Sequence, residues 1–142
     1  MFNFLRLGLQ TLVVLAVTMG ALQANASDAY RCHSIQNTDD RQFCLATNKQ
    51  ESYRCHSVRN DDLRNRCLAL VNVESYRCHS IRDDDDRNAC LGLTKGESYR
   101  CHSIREPDDR NICLAGTKGE RYRCHSVRDR DARERCLAAV GR

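Results

Sequence analysis

From residue 30 onward the chain repeats itself every 23 residues. Each copy opens with Tyr-Arg-Cys-His-Ser, at Tyr30, Tyr53, Tyr76, Tyr99 and Tyr122, and carries a second cysteine twelve residues after the first. A strict period of this length marks a small supersecondary unit used in tandem, so architecture is constrained before any single residue is considered. The copies span 30–52, 53–75, 76–98, 99–121 and 122–142, after a short lead at 27–29. The same chemistry offered five times suits multivalent binding or a structural array better than a catalytic site, which needs one asymmetric constellation.

Residues 1–26 read as a signal peptide. Arg6 supplies a basic start, Leu7 to Val17 is an apolar run broken only by Gly8, Gln10 and Thr11, and Ala24-Asn25-Ala26 offers a small-x-small cleavage pattern. The run is short of the roughly 20 apolar residues of a spanning helix, so no stable membrane span is expected after cleavage. The expected location is periplasmic or extracellular.

Export gives the cysteines their meaning. All ten follow the leader: Cys32, Cys44, Cys55, Cys67, Cys78, Cys90, Cys101, Cys113, Cys124 and Cys136. An even number in an oxidising compartment predicts disulfides. The repeat permits two registers, one within copies (Cys32 with Cys44) and one between them (Cys44 with Cys55). Loop size does not choose, since either closure is worth about 3 kcal/mol in the chain-entropy treatment. Only the within-copy register uses every thiol, and it is the expectation.

One copy reads as a helical hairpin. Glu-Ser before the tyrosine (Glu51-Ser52, Glu74-Ser75, Glu97-Ser98) places a serine at a helix start, and a first helix of about two turns carries Cys101 and Ile104 on one face. The second helix begins at the aspartates, where Asp83 to Asp86 or Glu106-Pro107-Asp108-Asp109 suit the positive end of the helix dipole. It stops at Lys95-Gly96 and Lys118-Gly119; Gln50 and Val73 replace the glycine in the first two copies. Each copy has too little apolar surface to fold alone, so a staple and a stacked neighbour are both required. The expected fold is all-α: disulfide-stapled helical hairpins stacked as a small solenoid.

Arginine outnumbers lysine 20 to 3, but the net charge is only +4, which with the exported compartment excludes a nucleic-acid-binding class. Arg31, Arg54, Arg77, Arg100 and Arg123 stand beside the first cysteines; Arg41, Arg64, Arg87, Arg110 and Arg133 follow Asp39, Asp62, Asp85, Asp108 and Asp131 by two residues. Guanidinium groups forked onto those aspartates are expected to hold the copies in register.

Two functional features stand out. The first is a surface stripe of Tyr30, His33, Tyr53, His56, Arg59, Tyr76, His79, Arg82, Tyr99, His102, Arg105, Tyr122, His125 and Arg128, spaced three apart within each copy, of the residue types that interfaces favour. It implies a protein partner in the cell envelope or outside the cell, for a scaffold, inhibitor, immunity or envelope-stress factor. The alternative is a periplasmic copper or zinc buffer using His33, His56, His79, His102 and His125 with the neighbouring cysteines. Against it, adjacent residues diverge on a helix and the thiols are expected to be oxidised. The acidic stretches lack the glycine and terminal glutamate of a calcium loop, and no phosphate loop, nucleophile elbow or haem attachment motif is present. No enzyme activity and no cofactor are expected. Cleavage between copies to release stapled peptides is disfavoured by Val73 where Lys-Gly-type junctions would be needed.

Overall fold

The computed structural model describes residues 24–141. Residues 1–23 of the expected signal peptide lie outside the described residues. Among the described residues every regular element is helical. In chain order they are α1 (Ala24–His33), α2 (Thr38–Lys49), α3 (Ser52–Cys55), α4 (Asp61–Asn72), a 3-10 turn (Ser75–Ser80), α5 (Asp84–Lys95), α6 (Ser98–Cys101), α7 (Pro107–Lys118), a second 3-10 turn (Arg121–Ser126) and α8 (Arg130–Val140). The expected lead at 27–29 is part of α1.

Each copy therefore pairs one short element with one long helix. The long helices start where the acidic stretches predict. Asn37, Asn60, Asp83 and Asp129 cap them by accepting the amide of the residue three positions on. Pro107 sits in the first turn of α7, where its missing amide hydrogen costs nothing. Their ends are left-handed in all of the first four copies: Gly96 and Gly119 at φ 69°, but also Gln50 and Val73 at φ 57°. The amide of the following glutamate turns back to the same carbonyl each time, as Glu74 does to Ala69 at 2.9 Å. The tertiary arrangement thus imposes the cap even where the residue resists it.

The first element of copy one is the end of the ten-residue α1. In copies three and five it is six residues of 3-10 helix, about two turns, and only in copies two and four does it shorten to a single four-residue turn. The serine lies inside the turn; Glu51, Glu74 and Glu97 occupy the cap position without a side-chain cap bond and use their carboxylates elsewhere.

Five disulfides close the copies internally: Cys32–Cys44, Cys55–Cys67, Cys78–Cys90, Cys101–Cys113 and Cys124–Cys136. Each is fully buried, and each is pressed against a small residue of the neighbouring copy's long helix. Ala46 packs on Cys55 and Cys67, Ala69 on Cys78 and Cys90, and Ala115 on Cys124 and Cys136. Gly92 takes this position before the fourth disulfide, where an added Cβ would stand 3.1 Å from the Cys113 sulfur. The disulfide is thus both staple and core.

The array has no free end. Ala138 of the fifth copy packs against Cys32, Ile35, Cys44 and Leu45 of the first, as Ala69 packs on the third. The polar contacts close in the same register. Asp39 accepts the amides of Arg59 and Asn60 at 3.1 and 3.0 Å, and Asp62, Asp85 and Asp108 repeat this with Arg82 and Asp83, Arg105 and Glu106, and Arg128 and Asp129. Asp131 then accepts those of Gln36 and Asn37, both at 2.8 Å. Arg31 bonds Glu134 at 2.9 Å and Arg130 bonds the Ser34 carbonyl at 2.8 Å across the same seam. Five copies make a closed ring in place of the open stack expected of a solenoid.

These bonds refine the expected Arg-Asp ladders, which form only in part. The aspartates serve backbone amides of the next copy, and the arginines two residues later turn inward to their own copy. Arg64 Nη1 reaches the Val58 carbonyl at 2.9 Å and Arg87 Nη1 the Ile81 carbonyl at 2.8 Å. A carboxylate between two adjacent amides makes two charge-assisted bonds at little entropic cost, which a long exposed arginine does not match. Cross-copy Arg-Asp pairs do form from the arginine after the Ile: Arg82 with Asp61 and Asp62 at 3.4 and 3.9 Å, and Arg105 with Asp85 at 3.6 Å.

Two stability outcomes are expected. Asp131→Ala and Asp85→Ala each cost about 1–3 kcal/mol in urea denaturation; a neutral Asp131→Ala beside a costly Asp85→Ala would mean that the ring is open. Val73→Gly relieves a β-branched residue from a left-handed backbone and raises stability by about 1 kcal/mol, read as a higher melting temperature.

Candidate functional site

Ring closure creates an outside and an axis. The outside carries the expected stripe residues. The five tyrosines are 62–76% exposed, and the five histidines with Arg59, Arg82, Arg105 and Arg128 are exposed as well. What steadies the tyrosines is a different set from the one the spacing suggests. Arg54, Arg77, Arg100 and Arg123 lie over the rings of Tyr53, Tyr76, Tyr99 and Tyr122, 5.2 to 5.4 Å from the centroids. Each of these arginines bonds through Nε to the glutamate three residues earlier: Glu51, Glu74, Glu97 or Glu120. The hydroxyls of Tyr53, Tyr99 and Tyr122 donate to the same carboxylates, at 3.0, 3.0 and 3.2 Å. These bonds, the arginine's first, hold the four glutamates below the usual carboxylate range. The first copy departs from the pattern, since Arg31 is turned to Glu134 at the seam.

The sulfur half of the metal alternative is spent. Each cysteine lies in a disulfide, so the neighbours of the five histidines present no thiolate. Among the described residues no cluster of three or more His, Cys, Asp or Glu is arranged to hold a metal ion.

The axis is lined by one stripe of each long helix. On α2 it is Asp40, Phe43 and Thr47, spaced three and four as one helical face requires. One period on, α4 presents Leu63, Arg66 and Leu70, and the remaining helices follow in the same register. Equivalent positions thus meet in layers, and the helices run the same way around the axis. At their N-terminal ends lies a polar recess of about 410 Å³ that includes Asp40, Asp86 and Asp109. At the C-terminal ends lies a smaller, mainly apolar cup of about 210 Å³.

Between them is a layer built from one position of the repeat: Phe43, Arg66, Ala89, Ile112 and Arg135. Arg66 is buried and bonds Asp86 at 3.0 Å, while Arg135 bonds Asp40. Their guanidinium groups flank the Phe43 ring at 5.7 and 5.4 Å. Burial raises the Asp40 carboxyl against the pull of Arg135, and raises Asp109 against that of Arg66. Arg66 itself is pushed down by burial. The repeat register marks these residues in the sequence as one of the positions where the copies differ, but an open array gives them nowhere to meet.

Comparison with protein-family models, curated proteins and solved structures returned no match. The five disulfides indicate an oxidising extracellular or periplasmic environment. No helix among the described residues is long and apolar enough to cross a membrane.

The aspartates should separate on acid titration followed by carboxyl NMR. Asp85 is held below its ordinary value by the amides of Glu106 and Arg105. Its contribution to stability is present above the ordinary aspartate value and is lost as pH falls through the lowered one. Asp109 holds its proton more tightly folded than unfolded, so stability gains as pH falls through its raised value, until the ordinary value is passed. Asp109 is expected to take up its proton before Asp85; the reverse order would contradict these contacts.

Proposed function

We propose that the protein is an exported, non-catalytic interaction ring: a disulfide-stabilised scaffold of the inhibitor, immunity or envelope-stress kind, entering its compartment by cleavage of the leader after Ala26. The observation that carries this reading is the outer belt. Large aromatic rings that are mostly exposed, yet each steadied by an arginine and a glutamate, are prepared for contact. Tyrosine and arginine together supply apolar area, a hydroxyl and a charge with few rotors to immobilise. Closure arranges at least four equivalent clusters around one rigid body. A partner that itself repeats, or that engages two clusters at once, gains avidity without any new contact.

The test is site-specific cross-linking from Arg59, Arg82 and Arg105 positions in the native compartment, comparing the wild-type chain with a Tyr53→Ala, Tyr76→Ala, Tyr99→Ala, Tyr122→Ala variant. The variant changes exposed side chains only and should keep all five disulfides by non-reducing mass spectrometry. A defined partner adduct is expected in the wild type and at least a ten-fold loss in the variant. Undiminished adduct in the variant removes the belt from consideration.

A further inference from the structure

The axial cup combines two surfaces that rarely meet without a ligand between them. Its wall is aliphatic, from Leu70, Leu93, Ile112 and Val140, and Arg66 and Arg135 also line it. Arg66 is 4% exposed and gives Nη1 to Asp86, but its buried Nε has no hydrogen-bond partner. Folded proteins leave few such donors unmade, and those that remain call for an explanation. Here the orphan belongs to a cation, for which an anionic oxygen is the strongest available acceptor.

We propose that the cup binds a monocarboxylate with a short aliphatic tail, the tail lying against the leucine, isoleucine and valine side chains and the carboxylate reaching the Arg66 guanidinium. Three features select this class. A largely apolar wall with a few convergent polar groups is the usual composition of a small-molecule site. The volume of about 210 Å³ is of the order that holds one small hydrocarbon, since a cavity of about 150 Å³ accepts benzene, and is too small for a nucleotide or glycan. The charged side chains that line the cup are Arg66 and Arg135, which also border the recess at the opposite ends of the helices, whereas Asp40, Asp86 and Asp109 line the recess and not the cup. Gly116 keeps the wall open: a Cβ there would stand 2.4 Å from a Leu93 methyl. This site is separate from the tyrosine belt and stands or falls without it.

The probe is hexanoate, with 1-hexanol as its uncharged counterpart, titrated into the disulfide-intact protein and followed by methyl NMR. Saturable shifts are expected at Leu70, Leu93, Ile112 and Val140, with one hexanoate per chain and 1-hexanol at least ten-fold weaker. Arg66→Met, with five disulfides verified by mass, should make the two ligands equal. Ala139→Phe fills the cup from an exposed position and leaves Arg66 in place; it should abolish binding of both. If Arg66→Met fails to fold, the wild-type comparison and Ala139→Phe still decide. Hexanol bound as tightly as hexanoate by the wild-type protein, or no shift at the four methyl-bearing residues, overturns the proposal.

Discussion

The contact on which the rest of the ring depends is a buried disulfide pressed against the small residue of the copy before it. A hairpin with one short turn and one twelve-residue helix has almost no apolar surface to share with itself. The disulfide removes entropy from its unfolded chain, by about 3 kcal/mol in the chain-entropy treatment. It also presents two large, polarisable sulfurs at the one place where a neighbour can reach them. That neighbour must approach closely, and so the position two after each second cysteine is Ala46, Ala69, Gly92, Ala115 or Ala138. A larger side chain there would hold the copies apart and leave both sulfurs half-solvated.

Closure follows from repeating that contact. Every join uses the same small residue and the same aspartate bridge, so every join sets the same rotation between copies. Such a contact is heterologous: one face of a copy meets a different face of the next. It generates a ring where the rotation closes and an open filament where it does not. With five copies it closes, and Asp131 finds the Gln36 and Asn37 amides as Asp108 finds those of Arg128 and Asp129. An open array would leave Ala138 and Asp131 exposed at one end and Ile35 at the other. Here all three are covered, and the capping repeats that open arrays need are unnecessary.

Much of this was legible in the sequence, and what was not is instructive. Period, helical class, the within-copy cysteine register, the start of each long helix at the aspartates and the glycine stops at Gly96 and Gly119 all follow from local chemistry, which a 23-residue window contains. The ring does not, because the angle between copies is set by packing at the Ala–disulfide contact and no local signal reports it. The role of Asp39 and its equivalents was missed for the same reason: matched Asp and Arg in one copy suggest an ion pair, whereas the true acceptors' partners are backbone amides, which have no signature in composition. The stripe residues are exposed, and four of their tyrosines rest on the arginines beside them and not on the histidines three residues on.

Ring closure also changes what repetition implies about function. Five identical copies argue against a unique site only while the copies remain apart. On the axis they meet, and identity becomes impossible: five phenylalanines would not fit in one layer, and five arginines would leave several buried charges unpaired. The layer is instead Phe43, Arg66, Ala89, Ile112 and Arg135, with Asp40 and Asp86 on one side to hold the two cations. The same geometry that makes the outer belt uniform thus forces the centre to be asymmetric. The belt can offer equivalent contacts to several partners or to one repeating partner, whereas the axis can hold one molecule and orient it. Those two kinds of site differ in stoichiometry as well as in chemistry, which separates them in any binding measurement made on the intact ring.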